Sequence, residues 1–199
     1  MTKAAKWRQL LIGAVVVMNI IACGGSLRYA ERDPDLKDFH PRTIGVLAVD
    51  ATSYPEAKGA AEEVTIAALV ARQWFTTVMT AAALKERLRN DHDLQQTVND
   101  YLLKLKTVNY SDPALSRKIG EGLSLQAFLV VTVDAWSYTV ENKEKVARAG
   151  LSMKLVEAET GRIAWQAGHD VMKEYSFLKP ELKDLGRGVA DAMIGVMPH

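Results

Sequence analysis

The hydrophobic pattern alternates between two periods, and each change marks a new element. Thr43 to Val49 (TIGVLAV) is a short, nearly unbroken apolar run rich in β-branched residues, as in a strand covered on both faces. After a polar loop at 50–55, Ala60, Val64, Ala67, Ala68 and Ala71 recur at helical spacing, with Pro55 suited to a first turn. Trp74 to Met79 (WFTTVM) reads as a second strand, with a continuing helix as the rival reading. Helical periodicity then runs from about Ala81 to Lys106, broken near Asn90-Asp91-His92-Asp93, and again from Pro113 to Leu123.

The strongest β signal follows. Ala127 to Val140 (AFLVVTVDAWSYTV) begins with consecutive apolar residues, as a central strand does. Beyond a charged turn at 142–144, Leu151, Met153 and Leu155 alternate with Ser152 and Lys154. A Glu159-Thr160-Gly161-Arg162 turn then leads to Ile163, Trp165, Ala167 and Val171. Alternation of this kind predicts an antiparallel meander with one wet face. From Pro180, Leu182, Leu185, Val189, Met193 and Val196 form one helical stripe, weakened by Gly186, Gly188 and Gly195. The prediction is one α/β (α+β) domain over 43–199. It has a mixed sheet of about five strands flanked by helices, with one parallel βαβ crossover, an antiparallel meander and a C-terminal helix.

The N-terminus changes this picture. A basic stretch (MTKAAKWRQ, 1–9) precedes thirteen uncharged residues (LLIGAVVVMNIIA, 10–22). That is the length of a signal-peptide core and short of the roughly twenty residues of a spanning helix. Ile20-Ile21-Ala22-Cys23 resembles the lipobox of bacterial lipoproteins, which implies cleavage after residue 22 and a covalent lipid on Cys23. An uncleaved anchor is the alternative. Cys23 is the chain's one cysteine, and lipidation would account for an odd thiol in an oxidising compartment. Gly24 stands where an Asp marks retention at the inner membrane in many Gram-negative bacteria, so the resemblance implies the outer membrane. Residues 23–42, polar and of mixed charge with Pro34 and Pro41, read as lipidated cysteine and tether. Stretched out, 24–42 would reach at most about 65 Å; as a coil it would span roughly 25 Å.

Charge adds little beyond this. The whole chain carries +1, of which Lys3, Lys6 and Arg8 supply +3 within 1–22, leaving −2 on the remaining 177 residues. A near-neutral body lacks the clustered basic surface that nucleic acid requires.

TIGVLAVD (43–50), QAFLVVTVDAWSYTV (126–140) and LSMKLVEAETGRIAWQAG (151–168) together resemble a superfamily of Gram-negative envelope lipoproteins. Its members include the curli-secretion lipoprotein and the lipoprotein activators of penicillin-binding proteins. The resemblance implies a sheet flanked by helices, as in the N-terminal domain of periplasmic TolB, and envelope protein partners rather than catalysis. Two departures limit it. A nineteen-residue tether is too short to cross peptidoglycan as the activators do, and no spare run of long strands is visible for the curli channel's barrel hairpins.

Catalytic signatures are few. His40, His92, His169 and His199 share no short motif, so no metal site is predicted, and no cofactor beyond the covalent lipid. His169 is expected on the inner face of a strand. The Asp33-Pro34-Asp35 and Asp38 group lacks a calcium loop's alternation and reads as solvated tether. Asp50, at the C-terminal end of the first strand, and Asp134, within an apolar strand, are the candidate ligand-site acids of an alternative hydrolase or small-ligand reading. A loop cap and a salt bridge are their structural readings. Trp136 and Tyr138 share a strand face and Trp165 comes from another strand. They are core residues or, if exposed, a partner surface; an aromatic face or a sheet edge offers a route to a homo-oligomer. The reading is a non-catalytic interaction module held on the periplasmic side of the outer membrane.

Overall fold

The computed structural model describes residues 27–199. The expected signal segment 1–22 and the expected lipidation site Cys23 lie outside the described residues. The sheet has six strands: β1 Tyr29–Arg32, β2 Thr43–Asp50, β3 Thr77–Met79, β4 Ala127–Glu141, β5 Glu144–Glu157 and β6 Ile163–Tyr175. The helices are α1 Lys58–Arg72, α2 Ala81–Asn90, α3 His92–Val108, α4 Pro113–Leu123 and α5 Leu182–Ile194. Spatial order is β1-β6-β5-β4-β2-β3, with β2 parallel to β3 and β4 and every other pairing antiparallel. The expected mixed sheet is therefore present, crossover and meander included, with one strand more than predicted.

The additional strand corrects the tether. Over 27–42 the chain is folded onto the domain: Tyr29 pairs with Gly168 and Arg32 with Trp165, and Leu27, Leu36 and Phe39 pack against the core. Asp33 caps a single turn at Pro34–Leu36, and its carboxylate, with that of Asp35, receives the guanidinium of Arg162 at 2.6–3.1 Å. Alternating charges that suggested solvated chain are thus fastenings to residues far along the sequence.

Helix boundaries follow local chemistry. Thr80, Asp91 and Asp112 each accept hydrogen bonds from the free N–H groups of the helix that follows. Asp91 explains the break between α2 and α3, and Pro113 sits where its missing N–H costs nothing. Two cores result. Ile44, Leu129, Val131, Leu151, Met153, Leu155 and Trp165 meet α1 and α5 on one sheet face. Leu47, Phe128 and Val156 meet α2, α3 and α4 on the other. There Tyr101 packs edge-on against Phe128, and burial pushes its phenol up to about 12.

Trp136 and Trp165 are buried, at 6% and 1% exposure, which corrects their candidacy as a partner surface. Gly186, a weakness by helix propensity, is the reason Trp136 fits. A Cβ there would lie 2.5 Å from two atoms of the indole ring. Gly186→Ala is predicted to destabilise the domain by about 1–3 kcal/mol through overpacking, outweighing the roughly 1 kcal/mol of helix propensity gained. Urea melts should show the loss shrinking when Trp136→Leu is combined with it; an equal loss in both backgrounds would disprove this account.

Candidate functional site

Strands β4, β5 and β6 run to 15, 14 and 13 residues. Helices α2, α3 and α4 cover only the part of their shared face beside β2. The remainder of that face is open, and alternation brings Asp134, Arg148, Ser152, Lys154 and Asp170 onto it. The sheet thereby assembles a polar cluster around Asp134 on its open floor, while Asp50 at the end of β2 bonds separately to Thr52 and Lys106.

Asp50 ends β2, in register with Thr132 of β4, and Asp134 lies two residues further along β4. Each is already occupied. Asp50 accepts from the Thr52 N–H (3.1 Å) and hydroxyl, and binds the Lys106 ammonium of α3 at 2.8 Å. The hydrogen bond from Lys106, then that from Thr52, holds the Asp50 carboxyl below the usual carboxylate range. Asp134 binds the Arg28 guanidinium and the Ser152 hydroxyl. Arg28 also reaches Asp170 at 3.5 Å, and Asp170 takes Arg148 at 2.8 Å. Asp134 raises the Arg28 pKa above its ordinary value. The chain Arg148–Asp170–Arg28–Asp134–Ser152 is thus a balanced polar network that fastens β1 to the sheet. The two candidate acids are thus engaged by different cations, Asp50 by Lys106 and Asp134 by Arg28.

Lys154 is the cation on this floor that bonds a neutral partner, donating to Asn109 Oδ1 at 2.6 Å. Partial burial lowers its pKa. Two open grooves are present. One, of about 670 Å³, is lined by residues including Phe39, His40, Arg117, Gln126 and Glu157. The other, of about 600 Å³, is apolar and lies between α1 and α2 beside Ile66, Val70 and Ala81. Neither Asp50 nor Asp134 lines either groove.

The histidines are dispersed, apart from His40, whose ring contacts the His199 carbonyl. His199 also stacks on Trp74, with centroids 3.6 Å apart. His169 is buried on the inner sheet face beside Leu151, as its strand position predicted. Among the described residues no three metal-ligating side chains converge.

Tyr138 is the one aromatic of the predicted trio that stays partly exposed. Its hydroxyl donates to the Pro180 carbonyl at 2.8 Å, its ring meets Tyr175 edge-on, and Lys179 Nζ sits 3.5 Å from its centroid. It braces the loop 176–180, where Phe177 and Leu178 are 99% and 89% exposed. Sequence periodicity passed over that pair, because two apolar residues in a loop belong to no repeating stripe.

No protein-family model and no curated protein matches the chain. The fold is similar to that of the PelC dodecamer of Paraburkholderia phytofirmans, with a TM-score of 0.50 and 13% identity over 79% of this chain and 87% of that one. A Leu-to-Met variant of the same dodecamer gives 0.48 and 16% identity, covering 77% and 85%. Lipoprotein GNA1162 of Neisseria meningitidis gives 0.46 and 15%, covering 78% and 99%. The likeness to PelC is one of fold.

The Asp50–Lys106 pair generates a pH prediction. With its folded pKa depressed, Asp50 contributes stability that is fully present above the unfolded carboxylate value, about 4. That contribution is lost as pH falls through the folded value. Lys106→Met is expected to raise the Asp50 pKa toward the ordinary range and to flatten this acid limb, read by carboxyl NMR titration and by acid unfolding. An unmoved Asp50 titration would show that Lys106 is not what holds it.

Proposed function

We propose that the chain is an outer-membrane lipoprotein, anchored through Cys23 and facing the periplasm. In this reading its domain is a non-catalytic assembly module of the cell envelope that associates with envelope proteins and with further copies of itself. The observation that carries the non-catalytic part is the tying-off of the open face. Asp50, Asp134 and Asp170 each hold a cation, and neither candidate acid lines either of the two grooves described. The hydrolase or small-ligand reading needs those acids free and convergent on a groove.

Self-association is supported by the two sheet edges. Among the described residues, β1 and β3 are short outer strands with an unpaired side, and all four residues of β1 are exposed. The apolar groove along α1 and α2, with Val70 exposed, adds a lateral surface. PelC, of similar fold, forms a dodecamer, and an assembly of several copies is the first to look for here. The anchor rests on the lipobox-like Ile20-Ile21-Ala22-Cys23, and several acyl chains together hold a protein where one holds it marginally.

The test uses intact cells. The wild-type chain is expected to take up labelled palmitate, fractionate with membranes and give discrete crosslinked multimers or specific envelope partners. Cys23→Ala is expected to lose the label and either leave the membrane or accumulate as precursor. A Cys23→Ala protein that fractionates and migrates like wild type would sink the anchor. A lipidated protein that crosslinks to nothing would sink the assembly role and return weight to a ligand-binding one.

A further inference from the structure

We infer that the loop 176–180, with Phe177 and Leu178 at its crest, is a membrane-docking wedge that enters the same phospholipid surface as the lipid on Cys23. The inference rests on the Cys23 anchor proposed above and adds to it a second contact and a fixed orientation.

The first observation is exposure. Phe177 and Leu178 are adjacent and almost wholly exposed, and Val140 nearby is 65% exposed. Large apolar side chains this free of contact on a braced loop favour an apolar phase. The loop's base is fixed: Tyr138 bonds the Pro180 carbonyl, packs on Tyr175 and takes Lys179 over its ring. A braced base presents the two side chains outward and lowers the backbone ordering that contact would otherwise require.

The second observation is where the chain enters the domain. β1 is antiparallel to β6 with Tyr29 opposite Gly168, so residues before Tyr29 head toward the end of β6 at Tyr175. Tyr175 pairs with Lys145, beside the β4–β5 turn, and the 176–180 loop springs from that same end. Four residue steps separate Cys23 from Leu27, a reach of at most about 14 Å. From the level of Gly168, β6 extends seven residues to Tyr175, roughly 23 Å. The far end of the sheet, where β4 begins at Ala127, lies in the opposite direction. A lipid on Cys23 can therefore meet a bilayer lying along the β1 edge or at the β4–β5–β6 end. The β1 edge carries Tyr29, Glu31 and Arg32, whereas the other end carries Phe177, Leu178 and Val140.

Charge decides what kind of membrane contact this is. Lys143, Lys145, Lys173 and Lys179 lie at this end with Glu141, Glu144, Glu174 and Glu181. Four cations balanced by four anions give no net attraction to an anionic surface, so the wedge acts by apolar burial and is indifferent to headgroup charge.

The test places an indole in the loop of the full lipidated protein, reconstituted in phosphatidylethanolamine vesicles with and without phosphatidylglycerol. Phe177→Trp introduces it at the crest. Val108→Trp, at the end of α3 near Lys154 and so about 30 Å along β5 from the turn, is the control. Brominated acyl chains are expected to quench the Phe177→Trp indole about threefold more than the control, equally in both lipid mixtures. An indole that stays unquenched with solvent-exposed emission, while the protein floats with the vesicles, overturns the wedge and leaves the anchor standing. Blue-shifted but unquenched emission overturns it in favour of a protein partner at this loop. Protein that fails to float overturns the anchor and the wedge together.

Discussion

Strand length set against helix length governs the molecule. A 14-residue strand such as β5 spans about 46 Å, while α4 with 11 residues covers about 16 Å and α3 with 17 about 25 Å. One sheet face is closed by α1 and α5, but the other runs out of helix where β2 ends. Backbone groups on the uncovered stretch remain paired within the sheet, so only its side chains must tolerate water. The chain meets this with Asp134, Arg148, Ser152, Lys154 and Asp170 at the alternate positions. The ion network on this face and the docking of β1 both follow from that shortage of cover.

Much of this was legible in the sequence because burial dictates pattern. Ala127 to Val133 is apolar at nearly every position where helices cover both faces, and β5 alternates where one face is wet. The break at Asp91 and the start at Pro113 could be seen because capping is local chemistry. β1 could not. Its four residues are all exposed, so no hydrophobic period marks them, and Arg28 finds Asp134 across 106 residues. The Trp136–Gly186 contact was hidden for the same reason. A glycine that weakens a helix locally and admits an indole tertiarily gives the same letter in the sequence.

Asp50 and Asp134 show how a sound sequence inference becomes a structural role. Strand ends of open α/β sheets do gather ligands, and the sheet places both acids on adjacent strands. Yet Lys106 comes from a helix and Arg28 from the supposed tether, and each turns an acid into half of a fixed pair. Catalysis asks for a group whose protonation can change near neutral pH. Paired in this way, the two acids hold the sheet to α3 and to the segment before β1, which is a structural role.

The direction of the strands connects anchoring to assembly. With residues before Tyr29 heading toward the β4–β5 turn and Phe177 at that end, the proposed wedge stands the strands away from the membrane rather than along it. The outer edges β1 and β3 then face sideways at one height above the bilayer. In that proposed arrangement, copies anchored by the same short link would share that height, and the entropic cost of aligning two edges would fall because tilt and elevation are already restricted. A freely tethered domain on nineteen flexible residues would have neither restriction. Under the proposed anchor, folding 27–42 onto the sheet therefore does more than lengthen it by a strand: it would restrict the lateral edges to meeting copies in the plane of the same membrane.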